Sequence, residues 1–68
     1  MEIIKVPKNS SYSWKRKIKA MKVGDSFQTD VRFQVGLRTL ASYMKKEGII
    51  AKVEKIRHED SIIVTREK

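Results

Sequence analysis

Apolar positions along the chain fall into separate clusters, and the spacing within each predicts its element. Ile3, Ile4 and Val6 lie in a short run read as a strand over Glu2–Val6, closed by Pro7, which cannot donate to a sheet ladder. Asn9, Ser10 and Ser11 follow as loop residues and potential helix caps. Trp14, Ile18 and Met21 then recur at i, i+4 and i+7, which places them on one face of a helix within Tyr12–Met21. Val23-Gly24-Asp25 reads as a turn, and Ser26–Thr29 as a second short strand.

The strongest periodicity comes next. Phe33, Leu37, Leu40, Ala41 and Met44 form a core-facing helical stripe. Thr29 or Asp30 can cap this helix, and it runs to about Glu47, with Gly48 at the position of a left-handed C-cap. Gly36 inside it costs ~1 kcal/mol relative to Ala, which favours a late start. Arg32, Arg38, Ser42 and Lys45 occupy much of the opposite side, and Tyr43 lies off the stripe. The tail predicts a β-hairpin: Ile49–His58 is rich in β-branched residues, Glu59-Asp60 interrupts, and Ser61–Arg66 resumes. Alternation fails in the first arm, where a bulge near Glu54-Lys55 would return Ile56 to the core side. The expected fold is one α+β domain spanning 1–68, with two helices on one face of a mostly antiparallel sheet that ends in a hairpin. Its core is Phe27, Leu37, Leu40, Met44, Val53, Ile56, Ile62 and Val64, with Trp14 and Ile18 closing one side.

Composition narrows the chemistry. The 68 residues contain no cysteine, which removes disulfides, thiolate zinc sites and cysteine nucleophiles and suits a reducing compartment. No run approaches the length of a membrane span, and the first residues lack the apolar core of a signal peptide. These features predict a cytoplasmic protein without a membrane partner. His58, the single histidine, sits beside Glu59 and Asp60 at the hairpin tip, where a solvated turn is the simpler reading than an acid–base or metal fragment. Gly24, Gly36 and Gly48 are too far apart for a phosphate-cradling loop. Neither a catalytic residue nor a cofactor or metal is expected.

Charge supplies the positive signal. Sixteen Lys and Arg face eight Asp and Glu, for a net charge of +8. Residues 1–24 hold seven of the bases and one acid, a net of +6. Lys8, Lys15, Arg16, Lys17, Lys19 and Lys22, interleaved with Tyr12 and Trp14, are the candidate contacts to phosphate, with a solvated helix face as the alternative. Trp14 fits a core anchor better than a stacking platform, since Ile18 and Met21 share its face. Arg32, Arg38, Lys45 and Lys46 on the long helix form a second candidate surface, and Tyr43 could serve as an exposed contact beside them. Lysines predominate over arginines, so contacts should be largely independent of base sequence. Lys52, Lys55, Arg57 and Arg66 alternate with Glu54, Glu59 and Glu67, which predicts cross-strand ion pairs.

Met21-Lys22-Val23-Gly24-Asp25-Ser26-Phe27, the segment Tyr43-Met44-Lys45-Lys46-Glu47-Gly48, and the closing hairpin together resemble small proteins encoded in bacteriophage genomes that share a VGDSF strand. The resemblance covers residues 21–66 and implies a bacterial host cell rather than a particular activity. The order of elements is similar to the C-terminal domain of bacterial translation initiation factor three, as a fold analogy alone. Three functional expectations follow. The first is a non-enzymatic nucleic-acid-binding module, for DNA or RNA. The second is a phage-type accessory protein that binds an acidic surface on a host protein, such as a nuclease or polymerase, and inhibits or redirects it. The third is self-assembly as a homodimer, which would complete a small core.

Overall fold

A computed structural model describes residues 2–6 and 12–68. Their order is β1 (Glu2–Ile3), α1 (Trp14–Ala20), β2 (Ser26–Asp30), a 3₁₀ turn (Val31–Phe33), α2 (Gln34–Lys45), β3 (Ala51–Lys55) and β4 (Ser61–Arg66). The strands form one sheet in the order β1-β2-β4-β3, antiparallel except for the parallel β1–β2 pair that α1 bridges. The expected α+β class and hairpin are present.

Pairing sets which residues face the helices. Phe27 lies opposite Val64, which lies opposite Val53, and Thr29 lies opposite Ile62. This inner face meets Ile18 and Met21 from the α1 side and Leu37 and Met44 from α2, and Ile4 joins the same cluster. Phe27, Met44, Ile62 and Val64 are fully buried; Leu40, Val53 and Trp14 pack against them half-buried. Trp14 stacks on Phe27 with ring centroids 5.6 Å apart, and tilts against Phe33 at 5.2 Å. It is a core anchor. Among the described residues, Thr29 is the one buried polar side chain, and it is satisfied: its Oγ1 donates to the Ile4 carbonyl at 2.8 Å.

Local chemistry explains the element ends. Ser13 caps α1 by accepting from the Arg16 amide, and Asp30 caps the 3₁₀ turn by accepting from the Arg32 amide at 2.9 Å. Gly24 and Gly48 have positive φ, 96° and 82°, a conformation open to glycine without steric cost. At Gly48 the amides of Gly48 and Ile49 return to the carbonyls of Lys45 and Met44, the Schellman pattern that ends a helix. In the Val23-Gly24-Asp25 turn, the Asp25 carboxylate accepts from the Lys22 amide at 3.1 Å, which closes the loop that leads into β2.

Three expectations need correction. No bulge occurs in β3, because pairing runs unbroken from Ala51↔Arg66 to Lys55↔Ile62. The strand simply ends at Lys55; Ile56 opens the turn, half-buried, with its amide bonded to the Ser61 carbonyl at 2.9 Å. The hairpin bases do not form cross-strand ion pairs among the described residues. Lys52 instead pairs with Glu54 along the same strand at 2.6 Å, and Arg66 turns to α1. Finally, β1 is shorter than Glu2–Val6: after Ile4 donates to the Gln28 carbonyl, the Val6 carbonyl is taken by the Arg32 guanidinium.

Candidate nucleic-acid interface

The fold sorts the basic residues by what lies next to them. In α1, Ile18 points inward, so Lys17 falls toward β1, Lys15 and Lys19 fall toward α2, and Arg16 stands outward. Lys17 donates to the Glu2 carboxylate at 2.5 Å. That hydrogen bond raises the Lys17 pKa above its ordinary 10.5, against a smaller opposing effect of burial. Lys15 and Lys19 share Glu47, at 3.7 and 3.6 Å, and so join α1 to the end of α2. The two Glu47 pairs are solvent-exposed and Lys17 is half-buried beside an exposed Glu2, and surface pairs of this kind contribute at most ~1 kcal/mol each.

Arg16, Arg38, Lys45 and Lys46 are exposed and have no carboxylate within ion-pair distance among the described residues. The Lys46 ammonium lies 5.7 Å from the centre of the Tyr43 ring, and Tyr43 is itself 66% exposed. Lys45 also borders a groove between α2 and β3, lined by Ala41, Ser42, Ile50 and Ala51. Ser13, Lys15, Arg16 and Lys19 border a shallow depression on α1.

Other candidates are held elsewhere. Arg32 donates to the Val6 carbonyl and lies over the Phe33 ring at 4.6 Å, so it fastens the 3₁₀ turn to the end of β1. Tyr12 is half turned to solvent, but its ring packs 4.6 Å from Trp14. Lys22 is exposed in the turn after α1. Lys8 lies outside the described residues.

A charge partition between layers emerges from this placement. The two helices and the turn that follows α2 carry Lys15, Arg16, Lys17, Lys19, Arg38, Lys45 and Lys46 against a single acid, Glu47. The remainder of the chain holds nine bases and seven acids. A net of +6 therefore sits on the helical layer and +2 on everything else. The two surfaces that were separate in the sequence, α1 and the outer side of α2, belong to one layer of the fold.

Two contributors to this layer had no local signal. Glu47 lies far along the chain from Lys15 and Lys19, and its role depends on α1 packing beside α2. Arg66 sends its Nη1 to the carbonyls of Ile18, Lys19 and Met21 at 3.3, 3.1 and 2.6 Å, which satisfies the C-terminal end of α1. Among the described residues, no helix is long and apolar enough to cross a membrane.

Neither a protein family, nor a curated protein, nor a solved structure matches this chain.

Proposed function

We propose that the chain is a non-enzymatic nucleic-acid-binding module that contacts phosphates through its helical layer. The observation that carries this reading is the charge partition: seven cations and one acid on the two helices and the turn that follows α2, against near balance elsewhere. Arg16, Arg38, Lys45 and Lys46 make the contacts, with Lys15 and Lys19 available because Glu47 holds them only loosely at the surface. Tyr43 offers a ring for base stacking on the same layer. Lys17 and Arg32 act as scaffold. Among the described residues, Asp25 and Asp30 accept from backbone amides, Glu47 pairs with lysines, and His58 lies at an exposed turn, which supports a binding role over a catalytic one. The resemblance to phage proteins implies a bacterial host cell as the setting for this activity.

The test is fluorescence anisotropy with labelled single-stranded and duplex oligonucleotides across a salt series. Each engaged cation contributes about 0.7 to 0.9 to the slope of log affinity against log salt. The triple variant Arg16→Gln, Arg38→Gln, Lys46→Gln should lower that slope by about 2 to 3. Arg57→Gln, at the hairpin tip, should leave it nearly unchanged. Absence of binding at low salt would refute the reading, as would equal loss in the Arg57 variant. A pull-down from nuclease-treated lysate that retains one stoichiometric acidic protein would replace it with the host-protein reading.

A further inference from the structure

The outer edge of β3 is the second feature of the fold with a chemical pattern. β3 ends the sheet, and no described strand pairs with its outer side. The Ile56 amide donates to the Ser61 carbonyl and the Glu67 amide to the Ile50 carbonyl. Hydrogen-bonded pairs alternate in an antiparallel ladder, so Lys52 and Glu54 also turn their backbone groups toward β4. Ala51, Val53 and Lys55 consequently direct their N–H and C=O groups outward, and an unpaired edge of this kind accepts a further strand.

We infer that this edge pairs with β3 of a second copy, antiparallel about a two-fold axis at Val53. Under that symmetry Val53 faces Val53 of the second copy, and Ala51 faces Lys55. The same register sets Lys52 directly opposite Glu54, twice. Lys52 and Glu54 already share one face of the strand, where they form an exposed ion pair. Doubling the strand closes a square of alternating charges. An acidic extended segment from another protein would place a carboxylate against Glu54, so the pattern favours the second copy.

The association has two opposing terms. Three outward-facing pairs supply about six main-chain hydrogen bonds, and the small contact belongs with weak, transient interfaces. Against it stands repulsion between two chains of net charge +8. Salt screens that long-range repulsion more than the close cross-strand pairs. Dimerisation should therefore strengthen as salt rises from low to moderate, opposite in sign to phosphate binding. The inference is independent of the nucleic-acid reading, and this difference separates their failures. The dimer would form one eight-stranded sheet with both helical layers on the same side.

Sedimentation of the full chain over micromolar to millimolar concentrations tests the state directly. Lys52→Glu and Glu54→Lys should each abolish self-association while circular dichroism shows the fold retained, since both positions are exposed. Their equimolar mixture should associate, because each variant then meets opposite charge. Amide exchange at Ala51, Val53 and Lys55 should slow with concentration, whereas exchange at Lys52 and Glu54 should not. A strict monomer throughout would overturn the inference, as would association of the Lys52→Glu variant equal to that of the unaltered chain. Protection of the same three amides by an acidic peptide, with the chain alone monomeric, would assign the edge to a different partner and overturn it as well.

Discussion

Arg66→Met separates the stem of a side chain from its charge at the point where β4 meets α1. The guanidinium is half-buried, and its Nη1 faces three carbonyls at the end of α1, two of them within 3.1 Å. One nitrogen carries two hydrogens, so about two charge-assisted bonds form at a time, each worth roughly 1.5–3 kcal/mol. The bond to the Lys19 carbonyl is exposed and the other two are only part-buried, so water reaching the freed carbonyls returns part of that value. A favourable interaction with the C-terminal end of the helix dipole adds roughly 0.3–1 kcal/mol. The net loss expected is about 2 to 3 kcal/mol.

That is a large fraction for a chain of this size, whose total stability falls around 3 to 10 kcal/mol at 0.05–0.15 kcal/mol per residue. Urea unfolding followed by the fluorescence of Trp14, the single tryptophan, should show a midpoint lower by about 2 M, given a slope near 1 kcal/mol/M for a small domain. Amides at the end of α1 should lose protection before those of β2 and β4. Arg66→Lys should recover less than half the loss, since a single ammonium cannot span the acceptors. A midpoint shift in Arg66→Met below about 0.5 M, or uniform loss of protection across the sheet, would refute the assigned role.

Gly36→Ala should stabilise the chain by about 0.5–1 kcal/mol. A Cβ built there meets no atom within 4 Å and its φ is not positive, so a rise in melting temperature of about 3–6 °C is expected, and no change would mean that the position is less helical than it stands. The Glu2–Lys17 bond predicts an alkaline dependence. Because the folded-state pKa of Lys17 is raised, its stabilisation is fully present below the ordinary 10.5 and fades as pH rises through the raised value. The stability gap between the unaltered chain and Glu2→Gln should be below ~1 kcal/mol at neutral pH and close above pH 10.5; a gap that widens with pH would contradict the pairing.

Much of this fold is legible in the sequence because several signals agree. The stripe from Leu37 to Met44 and the Gly48 stop both appear in α2, whereas the Asp30 cap serves the 3₁₀ turn that holds Phe33, and α2 itself starts at Gln34 with no side-chain cap. Ile56 misleads because strand alternation suggests that the apolar face must continue. In the fold, that face ends in Lys55, whose exposed position lets its ammonium reach solvent and the Glu59 carbonyl. The alternation Ile62, Val64, Arg66 did carry a clue, since it sets an arginine on the inner face. What it could not disclose is the reason, because the carbonyls that Arg66 satisfies belong to α1, more than forty residues earlier.

The same distinction governs the candidate interface. A seven-residue helix is too short to persist alone in water, and four cations within α1 repel one another. Its stability must come from contacts on the inner side: the Trp14–Phe27 stack, buried Ile18, the carboxylates of Glu2 and Glu47, and the Arg66 guanidinium. Each of these acts below the outer surface or at its border, and none requires Arg16. Cations of one sequence cluster thus divide into those that hold α1 in place and those that α1 presents. Lys17 belongs to the first group and Arg16 to the second, although they are adjacent. Density of charge along the sequence cannot make that division, because a helix turns neighbouring residues about 100° apart. Any reading of function from the basic segment therefore depends on the partner acids, and those are supplied by β1 and the end of α2.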